Sequence, residues 1–189
     1  MFKSNGGLHP TNDWILDDTH PALRTKCKNV VLPLNQEDQE YVNKLVTYID
    51  ACAKGISKKY GLQEGIAIAA PQVGCDKRII YTNFQYDTKI YNYLLANPKI
   101  IQHSLQKCCL TNGEGCLSVK TKHEGNVERW YHIVVEGYDM LAKKNITLEL
   151  SGLPAVCFQH EIEHLDGILF YDHIKKEKTF LNNENLIMI

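Results

Sequence analysis

The stretch "ERWYHIVVEGYDMLAKKNITLELSGLPAVCFQHEIEHLDG", residues 128–167, changes its period halfway. Residues 128–140 and 145–152 are rich in β-branched and aromatic residues, and "MLAKKN" suits a hairpin connection between two antiparallel strands. Pro154 then stands where a first helical turn accepts it, and Gly167 where a helix stops, so the spacing predicts a helix over 154–166. Upstream, "KRIIYTNF" (77–84) and "YNYLLANPKII" (91–101) have the same strand-like composition. Before them, residues 32–61 predict one long amphipathic helix. Asn35 is its N-cap, Glu37 and Asp38 are acids in the first turn, and Gly61 is its stop. Tyr41, Leu45, Val46, Ile49 and Ala53 recur along it at helical spacing, with Gly55 as the one interior weakness. Helix, strands, helix is the pattern of an α+β fold with mainly antiparallel sheets and a long N-terminal helix.

A chain of 189 residues that is 44% hydrophobic fills one sizeable core, so a single domain over 1–189 is expected. A formal net charge of −1 gives neither a basic stripe for nucleic acid nor an acidic tail. No apolar run approaches the roughly 18 residues of a membrane span, and "MFKSNGGLHPTND" lacks the apolar core of a secretory signal. Seven cysteines, an odd number, fit free thiols in a reducing cytoplasm. A monomer is expected, because no large apolar stripe is evident.

Within the predicted helix, His160 and His164 are four residues apart and share one face, where both can reach one metal ion. Glu161 lies about 100° round from His160, suited to touch a water beside that ion rather than the ion itself. A catalytic site needs a third protein ligand and an open position. Phe170 occupies the place where one HExxH pattern would require a further histidine. Glu177 and Glu184 downstream have no clear second helix to carry them. Upstream, "TNGEGCLSV" offers Cys116, with Gly113 and Gly115 allowing close backbone approach. Read alone, that segment is equally a turn entering a strand with a buried cysteine. "GIAIAAPQVG", residues 65–74, is apolar and small with one amide, Gln72. It suits a buried strand or a groove along which a peptide lies. A Cys-His-His set accepts Zn²⁺, Fe²⁺, Co²⁺ or Ni²⁺.

Taken in order, "GIAIAAPQ", "EGCLS" and "QHEIEHLDG" resemble the three signature motifs of the peptide deformylases, and the likeness spans most of residues 14–174. The insertion before the first motif and the "FYDHI" ending resemble the type found in Gram-positive bacteria and their wall-less relatives. The resemblance implies sheets packed around a central HExxH helix. It also implies an enzyme that removes the N-formyl group from formyl-methionine at the start of nascent polypeptides and releases formate. On that reading Cys116, His160 and His164 hold one divalent ion, Fe²⁺ in the cell, and Glu161 is the general base. The backbone N–H of Leu117 and the side chain of Gln72 donate to the oxyanion. Gly65, Ile66, Ala67 and Gly115 line the peptide, and Ile66, Leu153, Val156 and Cys157 wall the methionine slot. The partners are formylated nascent peptides, with the ribosome surface as a further contact. Arg129 either orients the peptide or stabilises the fold.

Two positions depart from the family pattern. Ala67 stands where glycine is usual, and is strained by roughly 1 kcal/mol or more if that backbone needs φ > 0. Glu163 replaces an aspartate and is expected to point away from the metal, altering only a contact at the surface or behind the ligands. Three other readings make different predictions. An HExxH endopeptidase would cleave unformylated internal bonds, a binding module would lack turnover, and a structural metal site would fill its fourth position with protein.

Overall fold

In a computed structural model, which describes residues 7–174 and 186–189, helices and antiparallel sheets form a mixed α+β architecture. Helix α1 spans Gln36–Ala53, capped where the Asn35 side chain accepts the Asp38 N–H at 2.7 Å. The expected single helix to Gly61 is in fact two, because Gly55 takes φ +68° and breaks the run. A short α2, Ser57–Tyr60, follows and ends on Gly61 in the left-handed region. Ala53, expected on the packed face, is exposed at that break.

The main sheet holds β1 (Ala67–Ala69), β2 (Ile79–Tyr86), β3 (Lys89–His103), β6 (His132–Asp139) and β7 (Lys144–Ser151), in that spatial order and antiparallel throughout. A smaller sheet orders β5 (Arg129–Trp130), β4 (Lys107–Cys109) and β8 (Leu186–Met188), with β4 and β8 parallel. In the C-terminal tail, Leu186–Met188 pair with β4, while 178–185 lie outside the described residues. Glu177 and Glu184 lie outside them too.

The pleat divides the main sheet between two helices. Ile79, Tyr81, Leu94 and Ala96 pack with Val42, Leu45 and Ile49 of α1. Their neighbours Ile80 and Leu95, with Ile133, Val135 and Leu150, pack with Phe158 and Ile162 of α3, Leu153–His164. Cross-strand partners such as Ile80↔Leu95 and Tyr81↔Leu94 share a face, as a period of two requires. Ten of the 12 residues of α3 are buried, so this helix has no solvated face. Gln159 accepts from Trp130 N and donates to Trp130 O, each at 2.9 Å, and so bolts α3 to β5. Gly167 ends the helical segment at φ +75°, where a Cβ would stand 2.7 Å from the Arg24 carbonyl carbon, so only glycine fits.

Phe158 is fully buried between sheet and helix. Phe158→Ala is expected to lower stability by about 3–5 kcal/mol, read from urea titration of the purified protein. A loss below about 1 kcal/mol would mean this packing is not what seats α3.

Candidate metal centre

The two imidazoles of α3 and the thiol of Cys116 meet at one point. His164 Nε2 lies 3.3 Å from Cys116 Sγ and 3.2 Å from His160 Nε2, and the three donor atoms all fall within 4.8 Å of one another. Tetrahedral ligation at ordinary metal–nitrogen and metal–sulfur lengths places donors about 3.3–3.6 Å apart, and the two separations at His164 are close to that, so the set suits a single ion. Burial holds His164 well below the usual imidazole range, which favours the neutral, ligating form. Its Nδ1 and the Glu161 Oε2 are buried without a protein partner among the described residues.

Each donor is placed by local geometry. Spacing on α3 sets the histidines one turn apart. Cys116 opens a turn closed by Val119 N–H on its carbonyl at 3.2 Å, which leaves the Leu117 N–H outside the turn's own hydrogen bond. The turn does not enter a strand, since residues 117–128 carry none. Gln63 Nε2 donates to the Cys116 carbonyl from the other side at 3.3 Å. Gly65 lies against Leu117, where an added Cβ would be 3.0 Å from Leu117 Cδ1.

Gln72 sits in a short 3-10 helix after β1 and is 2% exposed. Its Oε1 accepts Ala69 N–H at 2.8 Å, which fixes the amide so that Nε2 faces Ser118 Oγ at 3.1 Å and Cys116 Sγ at 3.5 Å. Because a backbone N–H can only donate, the orientation of this amide is determined. Ala67 belongs to β1, paired with Thr82, and is not among the residues of positive φ. The strained alternative for that position is therefore excluded.

A cleft of about 840 Å³ opens over these groups. It is lined by Cys116, His160, Glu161, Gln72 and Leu117, and by all seven residues expected along the substrate: Gly65, Ile66, Ala67, Gly115, Leu153, Val156 and Cys157. His164 is the one expected site residue that stays behind its wall. Burial pushes the Cys157 thiol far up, so it remains an uncharged part of the apolar lining. Burial likewise raises the Glu161 carboxyl to about 7, against the pull of His160.

Sequence reasoning assigned no role to Glu114, two residues before Cys116. Its Oε2 meets His160 Nδ1 at 2.8 Å, and Arg129 donates to it through Nε at 2.7 Å and Nη2 at 3.0 Å. Burial works against its charge, yet the bonds from His160 and Arg129 win and hold the carboxyl at about 2. Metal-binding histidines usually present their second nitrogen to a carboxylate, so an unassigned acid beside a candidate ligand was the available signal. Arg129, 2% exposed, faces this carboxylate and does not line the cleft, which removes it from direct contact with a peptide there. Glu163 points away from the donor cluster, as expected, but its contact is with the buried Arg129.

Two histidines of an HExxH helix closed by a cysteine, beside a cleft that the intervening glutamate lines, define the metallohydrolase class. A family model described as polypeptide deformylase matches residues 12–180. The Malacoplasma penetrans (strain HF-2) protein named peptide deformylase is 39% identical over 185 residues, covering 98% of each chain. The Bacillus subtilis (strain 168) protein named peptide deformylase 2 is 41% identical over 181 residues, 95% of this chain and 98% of that one. A crystal structure of peptide deformylase from Ehrlichia chaffeensis superimposes with a TM-score of 0.67 at 26% identity, over 86% of this chain and 87% of that one. The chain belongs to the polypeptide deformylase family. Its activity is that family's: metal-dependent removal of the N-formyl group from nascent polypeptides.

Glu114→Gln removes the charge that orients His160 while keeping the side chain's size. Metal affinity is expected to fall about 10–100-fold, measured by chelator competition, with the fold retained by circular dichroism.

Proposed function

We propose that Cys116, His160 and His164 hold one divalent ion, Fe²⁺ in the cell, with Zn²⁺, Ni²⁺ or Co²⁺ able to replace it. The observation that carries this reading is the convergence of the three donor atoms within 4.8 Å at a cleft that Glu161 also lines. When bound, such an ion lowers the pKa of a coordinated water toward about 7 and polarises a carbonyl oxygen.

The remaining chemistry belongs to side chains and backbone. Glu161, with a buried carboxyl near 7, takes a proton from the attacking water and hands it to the departing amine. Gln72 Nε2 and the Leu117 N–H donate to the formyl oxygen as charge develops on it, a contribution of about a hundredfold to a thousandfold in rate per donor. Support for the Gln72 role comes from its fixed amide, which presents Nε2 toward the cysteine. A formyl carbon bears only hydrogen, so a tight site accepts it and excludes the methyl of an acetyl group.

β1 is an edge strand, hydrogen-bonded only to β2 among the described strands, and it borders the cleft. An extended peptide is proposed to pair along Gly65–Ala67 and beside Gly115 by β-addition. Ile66, Leu153, Val156 and Cys157 form the apolar slot for methionine. In this reading the whole chain, 1–189, is one catalytic domain built around α3. It works as a cytoplasmic monomer on formyl-methionine peptides at the ribosome surface.

The deciding assay is formate release from an N-formyl-Met tripeptide by anaerobically prepared, Ni²⁺-loaded protein. Turnover is expected for the formyl peptide and not for its acetyl analogue. Glu161→Ala should lose about 10²–10⁴-fold in kcat with metal still bound. Cleavage of an unformylated internal bond would instead make the chain an endopeptidase. A ferrous ion beside a thiolate invites oxidation of Cys116. The Fe²⁺ form should therefore lose activity in air much faster than the Ni²⁺ form, and equal half-lives would refute that assignment of the labile group.

A further inference from the structure

Behind the donor cluster, four side chains from three segments close a ring. His160 Nδ1 meets Glu114 Oε2 at 2.8 Å, Glu114 is forked by Arg129, and Arg129 Nη1 donates to Glu163 Oε2 at 2.5 Å. Glu163 lies on the same helix as His160, three residues on, so the path returns to the element where it began. His173 Nε2 meets the same Glu163 oxygen at 3.0 Å from the solvent side.

We propose that Glu163, backed by His173, is a positioning residue for the metal centre. It pins Arg129, and through Arg129 and Glu114 it fixes both the ring of His160 and the loop carrying Cys116 against α3. The inference rests on the reading of Cys116, His160 and His164 as metal ligands.

Cys116 and His164 are 48 residues apart in the chain, so their mutual placement depends on non-covalent ties. Glu114 sits two residues before Cys116, which makes the ring one such tie. A guanidinium–carboxylate fork is planar and directional, and here Glu114 engages Nε and Nη2 together. Nη1, the remaining nitrogen, is left to Glu163, so the fork is held from both sides. With Nδ1 committed to Glu114, the His160 imidazole presents Nε2 toward Cys116 and His164. An exposed ion pair would contribute little, but the side chains of Arg129 and Glu114 are only 2% and 4% exposed. Removing Glu163 leaves a buried cationic nitrogen without its acceptor, and the ring opens at the link nearest solvent.

The test uses the full-length protein loaded with Co²⁺, whose d–d bands and thiolate-to-cobalt absorption report ligand geometry directly. Release of cobalt into excess chelator is timed for the unaltered protein, Glu163→Ala and Glu163→Gln, alongside kcat, KM and the melting of each apo form. For Glu163→Ala, release is expected to be about 10–100-fold faster, with shifted d–d bands. A fall in kcat with KM unchanged within about twofold should accompany it. Glu163→Gln, which keeps the size and one acceptor oxygen, should fall between. If folded variants release cobalt at the unaltered rate with unaltered bands, the relay is refuted, whatever happens to the melting temperature. If Glu163→Ala does not fold, Glu163→Gln alone decides by the same criteria. Absence of a thiolate band in the unaltered protein would overturn the ligand reading itself and the relay with it.

Discussion

Charge buried behind His160 is the constraint on which the site depends. A carboxylate and a guanidinium with almost no solvent access are each costly, and their attraction repays that cost only with good geometry and all hydrogen-bonding positions used. Glu114 and Arg129 come close to both conditions, since the fork is bidentate and every guanidinium nitrogen has a carboxylate partner. The depressed carboxyl of Glu114 is the electrostatic trace of that arrangement, because the paired charges outweigh burial. A neutral or half-satisfied network would leave the imidazole free to turn. The tightness of the donor cluster therefore follows from a polar network that reaches the cleft only at Glu114 and His160.

The sheet makes such burial possible by keeping its two faces separate. One face is closed by α1 and carries ordinary apolar packing. The other is closed by α3, which is wrapped so fully that even its polar residues lie inside. Gln159 is satisfied by the backbone of β5, and His160 by Glu114. Glu161 keeps a buried oxygen without a protein partner. His164 Nδ1 is unpaired too, but of the two residues only Glu161 lines the cleft, and burial brings its carboxyl to the range where it can both accept and release a proton near neutrality.

The two departures from the family pattern have different weights. At Ala67 the backbone is an ordinary extended strand residue, so the methyl narrows the cleft edge without straining the chain. At Glu163 the longer acid reaches a buried cation and a histidine from a neighbouring 3-10 segment. A change that looks conservative by charge thus falls within the network that supports a proposed ligand.

Local pattern was enough to mark the strand segments over 77–101 and 128–152, the helix bearing His160, Glu161 and His164, and the residue types that could complete a metal site. These are local properties: β-branched and aromatic content, a spacing of four, and a cysteine preceded by glycines. Even the helix break at Gly55 was marked locally, though its depth was not, because tertiary packing decides whether a glycine is tolerated or turned left-handed. The fold, in contrast, sets the meeting of Cys116 with the histidines across 48 residues, the locking of the Gln72 amide by Ala69, and the ring of His160, Glu114, Arg129 and Glu163. Hydrogen bonds between segments distant in sequence leave no periodic trace, since each needs only one residue of the right type at the right place, and the fold alone fixes where that place is.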